Sequence, residues 1–349
     1  MDACPMTCAK QNSPSPSVSG EGRLPCLPWS NHPPLRTLFY GMTHEHAPGK
    51  ILSLRNLPDT FDVVAIADDR PRGAPSFVTF PFDAGTTPII SEAEALALPD
   101  IDVVFIETAN RDLMDVARIF ADRGIPMHCD KPCGESLDPY RTILETCRAK
   151  NLPFQIGYMY RGNPALKWLW KFVAERGLGD IRFIEADMNH DYQADGYAEY
   201  LSTFRGGILY NLGCHLVDTV LPMVQGDLRE ARPFTDVTRG SSFLRFGGAD
   251  VLIRTSANMP GGILARRLRV DGTKGTVDLC PIERFDGRNL TLTLTVGETV
   301  KTMDFGVQTD RYADQLLDLA AIVRGEKPND QDYDRDLKAH EITLRACGL

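Results

Sequence analysis

The chain has 349 residues, 43% hydrophobic and 24% charged, so it is long enough for two domains with a buried core and resembles an ordinary globular protein in composition. Its formal net charge is -9 and no block of consecutive lysines or arginines occurs, which argues against nucleic acid and anionic membrane surfaces as partners. No apolar run reaches the roughly 18 residues of a membrane span, so a small molecule is the expected partner.

Residues 1–34 are rich in proline and serine and show no hydrophobic periodicity. They also lack the apolar core of about 7 to 15 residues that defines a signal peptide. We interpret them as a disordered extension or a misassigned start, and we attach no metal to Cys4, Cys8 and Cys26.

The cysteines farther along the chain favour buried free thiols over disulfides. They show no CxxC pair and no metal-ligand spacing, so no metal site is expected. Free thiols fit a reducing cytoplasm, which is the predicted location. Five of them fall inside or beside predicted core elements, namely Cys129, Cys133, Cys147, Cys214 and Cys280.

From Leu35 onward, short apolar strands alternate with amphipathic helices, which predicts an α/β fold with a parallel, doubly wound sheet. The unbroken apolar run at 102–106 fits a strand that is buried on both faces. One predicted helix ends at Gly124, and the next has Ser136 as a candidate N-cap. The predicted strands are residues 35–40, 62–67, 102–106, 126–129 and, as a candidate sixth strand, 153–158.

The turn after the first strand reads Gly41-Met42-Thr43-His44-Glu45-His46 and keeps only the first glycine of a G-x-G-x-x-G dinucleotide pattern. A strand-turn-helix still offers backbone N–H groups and a positive helix end to a pyrophosphate. Gly41, Thr43 and His44 are therefore candidate cofactor residues, although the motif alone is weak.

Asp68 closes the second predicted strand, where an acidic side chain can accept both ribose hydroxyls of an adenosine. An aspartate there repels a 2'-phosphate and favours NAD over NADP, while the neighbouring Arg70 and Arg72 weaken that preference. The alternative is an aspartate that merely caps a βα turn.

Lys131 directly follows an apolar strand and directly precedes Pro132, which places it at the carboxyl edge of the sheet, where open α/β sheets bind ligands. Its ammonium is a compact donor suited to a hydroxyl or a developing alkoxide. The alternative is a surface lysine in a βα loop.

Beyond Tyr158 the composition changes. A helix with Pro164 in its first turn precedes a strand at 181–188 and a loop rich in Asp and Tyr at 191–200. A glycine-rich turn then opens an apolar helix on which Asn211, His215 and Asp218 share one narrow face. A polar stripe on such a helix needs partners or a ligand, and a hydrogen-bonded core histidine remains the alternative for His215.

The remainder, residues 230–305, predicts an antiparallel sheet, and residues 290–296 alternate strictly between apolar and polar side chains. Two terminal helices follow, the second at about residues 333–346. Because these helices are too few to cover the sheet, we expect a second subunit to cover it, in a homodimer or homotetramer.

Four stretches besides the glycine turn resemble motifs of one enzyme family. Asp130-Lys131-Pro132 is similar to a Glu-Lys-Pro motif, and Thr108-Ala109-Asn110 to a Thr-Pro-Asn motif. Tyr160-Arg161-Gly162-Asn163-Pro164 is similar to Tyr-Arg-Phe-x-Pro, and residues 206–215 to Gly-Gly-x-Leu-x-Asp-x-Gly-x-His. In this order and at these separations they resemble the Gfo/Idh/MocA family, over residues 35–346.

The resemblance implies an NAD(P)-binding Rossmann domain at 35–158 and a C-terminal α/β domain at 159–349 with a large open, mostly antiparallel sheet. It implies an active site between them, where Lys131 and His215 meet the nicotinamide and a sugar or polyol. Lys131, His215 and Asn211 are the implied catalytic residues. The candidate cofactor residues are Gly41, Thr43, His44, Asp68, Thr108, Asn110, Asp130, Lys131 and Arg161.

Three departures from the family pattern are visible. The glycine turn keeps only its first glycine, Ala109 and Leu113 replace the proline and the histidine of the family's Thr-Pro-Asn turn, and Asn211 stands in place of an aspartate. Without that carboxylate we expect His215 to titrate lower than in relatives that carry it, unless Asp218 supplies the charge. The expected activity is NAD-dependent hydride transfer at a secondary hydroxyl of a sugar, sugar acid or polyol. A glycoside-cleaving variant with transient oxidation and a non-catalytic sensor are the alternatives.

Overall fold

The computed structural model describes residues 32–70, 83–192 and 196–349, and residues 34–349 form one compact unit. The interpretation of residues 1–31 with their three cysteines, the role of Arg72 and part of the tyrosine-rich loop, residues 193–195, lie outside the described residues. The division of the chain at residue 158 stays a prediction.

The first sheet consists, among the described residues, of β1 (Leu35–Tyr40), β2 (Phe61–Asp68), β3 (Ile89–Ser91), β4 (Val103–Ile106), β5 (Met127–Cys129) and β6 (Phe154–Ile156). They pair in parallel in the order β3-β2-β1-β4-β5-β6. The order reverses between β1 and β4, which opens a crevice at the carboxyl ends of these strands. This confirms the predicted doubly wound parallel sheet.

Within the described residues, five helices connect the strands of this sheet or follow its last strand. They are α1 (Ala47–Arg55), α2 (Glu92–Ala97), α3 (Leu113–Arg123), α4 (Leu137–Ala149) and α5 (Pro164–Ala174). Helix α3 buries one face, which includes Leu113, Ala117 and Phe120, and it ends at Gly124 as predicted. The φ of +73° at Gly124 lets its N–H reach the carbonyls of Phe120 and Ala121. Ser136 takes the N-cap position of α4 as predicted, but its side chain makes no capping hydrogen bond.

The short strand β3 and helix α2 had no counterpart among the predicted elements. β3 has only three residues and none of them is buried, so it lacks the apolar run by which the other strands were found. Ser91 and Glu94 form a capping box at the start of α2, which is the local signal that was available.

The second sheet is built from strands β7 (Ile181–Asn189), β8 (Glu230–Thr235), β9 (Arg239–Arg245), β10 (Asp250–Ser256), β11 (Arg267–Gly272), β12 (Gly275–Leu279), β13 (Asn289–Val296) and β14 (Thr299–Val307). Their order is β14-β13-β12-β11-β7-β10-β9-β8. β7 pairs in parallel with β10, and the other pairs are antiparallel. This confirms the predicted open, mostly antiparallel sheet.

Helices α6 (Tyr197–Ser202), α7 (Gly207–Val220), α8 (Ala313–Val323) and α9 (Tyr333–Cys347) complete the described chain. Every residue of α7 is buried, because the helix packs on β7, β9 and β10 and against α9. Its position between the second sheet and the strand edges of the first sheet sets where Asn211 and His215 lie.

Two observations concern the surface and the thiols. All described cysteines are free, and Cys129, Cys133, Cys147, Cys214 and Cys347 are buried. The prediction of a buried thiol was wrong for Cys280, which is exposed because it directly follows the last residue of β12. No helix among the described residues combines the length and apolar character needed to cross a membrane.

Candidate active site

Lys131 lies just beyond the carboxyl end of β5, at the edge where the sequence placed it. Its side chain is fully buried, which excludes the alternative of a surface lysine. The ammonium donates to the backbone carbonyl of Asn211 at 3.2 Å and lies 3.4 Å from a carboxylate oxygen of Glu45. The strand edge and helix α7 therefore meet at this lysine.

Asn211 is the first of the three polar side chains on α7. Its Nδ2 donates to Glu45 Oε1 at 2.7 Å and lies 3.3 Å from the hydroxyl oxygen of Tyr197. Its Oδ1 has no hydrogen-bond partner among the described residues. The amide is thus fixed on one side and unpaired on the other, which leaves an acceptor inside the site.

His215 is buried among aromatic rings, with the ring centroids of Tyr160, His46 and Tyr158 5.6, 6.1 and 6.2 Å away. Neither ring nitrogen has a hydrogen bond within the described part of the chain. Burial, and after it the charge of Lys131, holds the pKa of His215 well below its ordinary value. The ring is therefore neutral at neutral pH and can accept a proton.

Asp218, the third member of the stripe, has a different environment. Arg161 and Arg335 both donate to its carboxylate, at distances from 2.7 to 3.2 Å. Arg161 also lies 2.6 Å from Asp336. Asp218 is therefore committed to arginines and does not supply His215 with the missing charge, and Arg161 contacts these carboxylates rather than the other candidate cofactor residues.

A cluster of buried polar groups lies behind Lys131 around the side chain of Asp130. His46 Nδ1 is 3.1 Å and Lys50 Nζ is 3.1 Å from the Asp130 carboxylate, which also accepts from the Lys131 backbone N–H at 2.8 Å. Lys50 is fully buried in α1 and lies 2.6 Å from His128 Nε2. The candidate cofactor residue Asp130 thus acts inside the protein as the centre of an ionic cluster.

The protonation of this cluster follows from its charges. Burial acts to raise the pKa of Asp130, but His46 and Lys50 lower it well below its ordinary value. Burial, together with the charge of Asp130, raises the pKa of Glu107 well above its ordinary value. We therefore assign one negative charge to Asp130, a proton to Glu107 and a positive charge to Lys50, which leaves the cluster neutral.

His44, a candidate cofactor residue, is also fully buried. Its Nδ1 accepts from the backbone N–H of His46 at 3.1 Å, so its Nε2 carries the proton and donates to the Lys131 carbonyl at 3.0 Å. Burial lowers the pKa of His44 to about 4. The His44 ring therefore holds the Lys131 backbone in place through this hydrogen bond.

Two trios within this cluster, His44 with His46 and Asp130, and Glu107 with His128 and Asp130, hold side-chain atoms within 4.8 Å of one another, as metal ligands would. The ammonium of Lys50 lies between the members of the second trio and already provides a positive charge there. The absence of a metal stays an expectation from the sequence.

The glycine turn differs from an open phosphate-binding loop, because some of its hydrogen-bond donors are already bonded within the protein. Gly41 has φ of +100°, and a Cβ there would lie 2.6 Å from the backbone nitrogen of Thr108, so β1 and β4 approach too closely for any other residue. The N–H of Met42 donates to Asp69 at 2.7 Å, and the hydroxyl of Thr43 donates to the same carboxylate. Asp69 therefore takes up donors that a pyrophosphate would use.

Asp68 stays where the sequence placed it, at the end of β2, whereas Asp69, to which no role was assigned, bonds the glycine turn. Asp68 accepts two side-chain hydrogen bonds from Arg70, both 2.8 Å long, and these lower its pKa. Its side chain remains 30% exposed at the end of β2, where a ribose would reach it. The ion pair reduces the repulsion that Asp68 would exert on a 2'-phosphate.

Thr108 and Asn110 are both buried beside the carboxyl end of β4. The hydroxyl of Thr108 has no hydrogen-bond partner among the described residues and lies next to Gly41. Leu113, at the position of the family histidine, is fully buried in the hydrophobic core as the first residue of α3. That departure from the pattern therefore serves packing.

The tyrosine-rich loop borders the same site through its described residues. Tyr192 stacks on His190 with ring centroids 4.0 Å apart, and Tyr197 meets Tyr192 edge to face at 4.7 Å. His190 Nε2 has no hydrogen bond within the described residues. Aromatic faces beside unpaired polar atoms suit a carbohydrate ring.

The sequence analysis missed several residues that build the site. Glu45, His46, Lys50, Glu107 and His128 were named only as parts of a motif or a strand, or not at all. The signal available for Glu45 and His46 was the charged run His-Glu-His in a turn where glycines were expected. For Lys50 and Glu107 no local signal existed, because a lysine in a helix and a glutamate after a strand are common on protein surfaces.

Comparison with known proteins identifies two matching family models. Residues 40–158 match the Gfo/Idh/MocA oxidoreductase family with an NAD-binding Rossmann fold. Residues 167–278 match a C-terminal domain of the same family. Both halves of the site thus fall within one family.

Individual relatives are more distant. The levoglucosan dehydrogenase of Pseudarthrobacter phenanthrenivorans is 25% identical over 186 residues, which are 52% of this chain and 44% of that protein. The chain spans about half the length of the first curated relatives that it matches.

Two solved structures share the fold. A 3-ketoreductase of Actinomadura kijaniata with NADP and TDP-benzene superposes with a TM-score of 0.74 at 16% identity, covering 89% of this chain and 96% of that one. An inositol dehydrogenase homologue of Azotobacter vinelandii with NADH and myo-inositol gives 0.70 at 17%, covering 90% and 95%. At these identities the likeness concerns the fold alone.

Proposed function

The chain belongs to the Gfo/Idh/MocA family of oxidoreductases, and from that membership we propose that it transfers a hydride between NAD(H) and a secondary hydroxyl of a sugar, sugar acid or polyol. The observation that carries the proposal is His215, a neutral buried imidazole on the helix whose Asn211 contacts Lys131; neither ring nitrogen has a hydrogen-bond partner among the described residues. Leaving such a polar group unpaired costs about 1–3 kcal/mol, which favours a role toward a ligand over a role in packing.

In this proposal Lys131 holds the reacting oxygen and His215 exchanges its proton. In the oxidation direction the imidazole accepts the hydroxyl proton while the ammonium stabilises the developing alkoxide. In the reduction direction the imidazolium returns the proton. When bound, the nicotinamide supplies the hydride acceptor or donor.

The cofactor fits the strand edge in part. The crevice between β1 and β4, the close approach at Gly41 and the unpaired hydroxyl of Thr108 suit a dinucleotide. The N–H of Met42 is bonded to Asp69, so a pyrophosphate over this turn would replace that carboxylate. We therefore assign the dinucleotide to this edge with Thr108 and Asp68 as its side-chain contacts, and we assign Asp130 and His44 to bracing Lys131.

We propose NAD as the preferred cofactor, because Asp68 lies where a 2'-phosphate would meet a carboxylate. The salt bridge from Arg70 moderates that preference. Titration of protein with NADH and with NADPH, followed by nucleotide fluorescence, tests this. Arg70→Ala should widen the preference for NADH by about tenfold, since the freed carboxylate repels the phosphate. If neither nucleotide binds below millimolar concentration, the proposed function is wrong.

A panel of sugars, sugar acids and polyols, with NADH formation measured at 340 nm, tests the reaction itself. Net NADH formation supports a dehydrogenase. Product without net NADH would instead support glycoside cleavage through transient oxidation, in which the hydride returns to the substrate. Nucleotide binding without any turnover would support a sensor.

We also propose a homodimer or homotetramer formed through the second sheet. Val300 and Val307 on its edge strand β14 are 64% and 50% exposed, and Val296 at the end of β13 is 41% exposed. Exposed apolar side chains at this edge of the sheet favour a covering subunit. Light scattering that gives about one chain mass over a wide concentration range would contradict this proposal.

For the compartment we propose the cytoplasm, because the buried cysteines remain free thiols. Cell fractionation followed by immunodetection tests this assignment. Recovery of the protein from an oxidising compartment would contradict it.

A further inference from the structure

The loop between β1 and α1 carries a carboxylate to which no motif assigned a role. Glu45 is 5% exposed, and its Oε1 accepts from Asn211 Nδ2 at 2.7 Å and lies 3.4 Å from Lys131 Nζ. Its Oε2 accepts from the hydroxyl of Tyr197 at 3.1 Å. The Glu45 side chain thus connects the glycine turn to Lys131, to helix α7 and to the tyrosine-rich loop.

The charge balance gives this contact its weight. A fully buried ammonium needs an opposite charge, and among the described residues Glu45 forms the ion pair of Lys131. Burial acts to raise the pKa of Glu45, but Lys131 and His46 lower it to about 2, so the carboxylate is ionised at neutral pH. His46 Nε2 lies 3.8 Å from the same oxygen, Glu45 Oε1.

The contact also explains the residue at position 211. An amide can donate to Glu45 and neutralise nothing, whereas a carboxylate there would repel Glu45 across 2.7 Å. The sequence therefore places the negative charge in the loop and the neutral donor on the helix. Among the described residues Glu45 is the carboxylate that pairs with the Lys131 ammonium, and it lies in the glycine turn, whereas the family pattern has an aspartate on the helix.

We propose that Glu45 is a positioning residue of the reaction, which neutralises Lys131 and holds Lys131 and Asn211 in the geometry that meets the substrate oxygen. This inference rests on the proposed dehydrogenase function. It assigns Glu45 an action through Lys131 and Asn211 and gives it no proton to transfer.

Exchanging the two side chains tests the inference. Glu45→Gln removes the charge and should lower kcat by about 100-fold, the usual scale for losing one group that orders the oxygen-binding site, with KM changed much less. Asn211→Asp alone should also lower kcat, because two carboxylates then face each other. The double variant Glu45→Gln with Asn211→Asp restores one charge and one amide, and kcat should recover to within about tenfold of the wild type.

Glu145→Gln is the matched control, because Glu145 is exposed on α4 and should leave kcat and KM unchanged. Melting temperatures of the unliganded single and double variants provide a readout without turnover. They should show that the two substitutions compensate, since each single change breaks the pair and the double change rebuilds it.

The inference is overturned if Glu45→Gln keeps wild-type kcat, or if the double variant stays as inactive as Glu45→Gln while its melting temperature recovers. The second result would show that turnover needs the Glu45 carboxylate itself, and that a carboxylate at position 211 cannot replace it. If the wild type turns over no sugar or polyol, the proposed function fails, and the melting temperatures still decide whether Glu45 and Asn211 form a compensating pair.

Discussion

The two ends of helix α7 both carry buried polar groups, but they are satisfied in different ways. Near its start, Asn211 meets Glu45, and one turn later His215 packs among aromatic rings. Within the described residues, Asn211 Oδ1 and both ring nitrogens of His215 have no hydrogen-bond partner. Near its end, Asp218 is enclosed by Arg161 and Arg335 with every carboxylate oxygen bonded. Within the described residues, the first end therefore keeps polar atoms without partners, whereas the ion pairs at the second end hold the helix in place.

The difference shows how one helical stripe can serve two purposes. Asn211, His215 and Asp218 follow one another at helical spacing, and by sequence they form a single polar face. Their neighbours come from different parts of the fold: Asn211 contacts Glu45 of the glycine turn, and Asp218 contacts Arg335 of α9. Substitutions at the two ends should therefore affect different quantities.

The largest effect is expected for His215→Ala. If the imidazole is the general base, kcat/KM should fall by about 100-fold to 10,000-fold, the usual share of general acid-base catalysis. Steady-state assays with the sugar found in the substrate panel measure it. His340→Ala is the control, because His340 is also buried and packs edge to face on Tyr140, yet lies on α9. Near-full activity of His215→Ala would move the base to Lys131 or to a tyrosine of the loop.

The next effect concerns the other end of the helix. Asp218→Asn leaves Arg161 and Arg335 without their shared carboxylate. Breaking a buried ion pair costs about 3–5 kcal/mol, and because both arginines are partly exposed the free energy of unfolding should fall by an amount near the lower end of that range. Urea denaturation measures this. Asp227→Asn is the control, since the carboxylate of its pair with Lys338 is almost fully exposed, and it should change little. Lost turnover in folded Asp218→Asn would contradict the division between the two ends.

The smallest effect is a difference in pH dependence. The buried His128 has a pKa lowered to about 3 by burial and Lys50, whereas the unfolded chain binds that proton near 6.5. Its folded pKa is depressed, so stability is full above about pH 6.5 and is lost as pH falls toward 3, by up to about 1.4 kcal/mol per pH unit. At the far end of α7 the ion pairs join arginines to Asp218, without a histidine.

Urea denaturation at pH 7, 6 and 5 separates the two regions. The difference in unfolding free energy between the wild type and His128→Gln should narrow as pH falls. Protonation of His128 in the unfolded chain lowers the stability of the wild type, and the variant has no such group. The gap between the wild type and Asp218→Asn should stay constant over the same range. Parallel curves for all three proteins would show that His128 is not a source of the acid sensitivity.

Most of the fold follows from local patterns. Strands β1, β2, β4, β5 and β6, helices α3, α4 and α5, and the alternating strand β13 lie where hydrophobic periodicity placed them, because burial of one face repeats every 2 or 3.6 residues. Of the two elements that were missed, β3 and α2, the strand is short and lacks a buried face. Periodicity carries no information where an element contributes nothing to the core.

The site was predictable only as far as motifs reach. The sequence by itself placed Lys131 at a strand edge and put Asn211 and His215 on one helix face, since both follow from local spacing. Only the tertiary structure decided that Glu45 meets Asn211, 166 residues away, that Lys50 lies beneath Asp130, and that Arg161 binds Asp218. The physical reason is that a buried charge is defined by its counter-charge, and counter-charges are brought together by the packing of sheet edges against α7 rather than by neighbours in the chain.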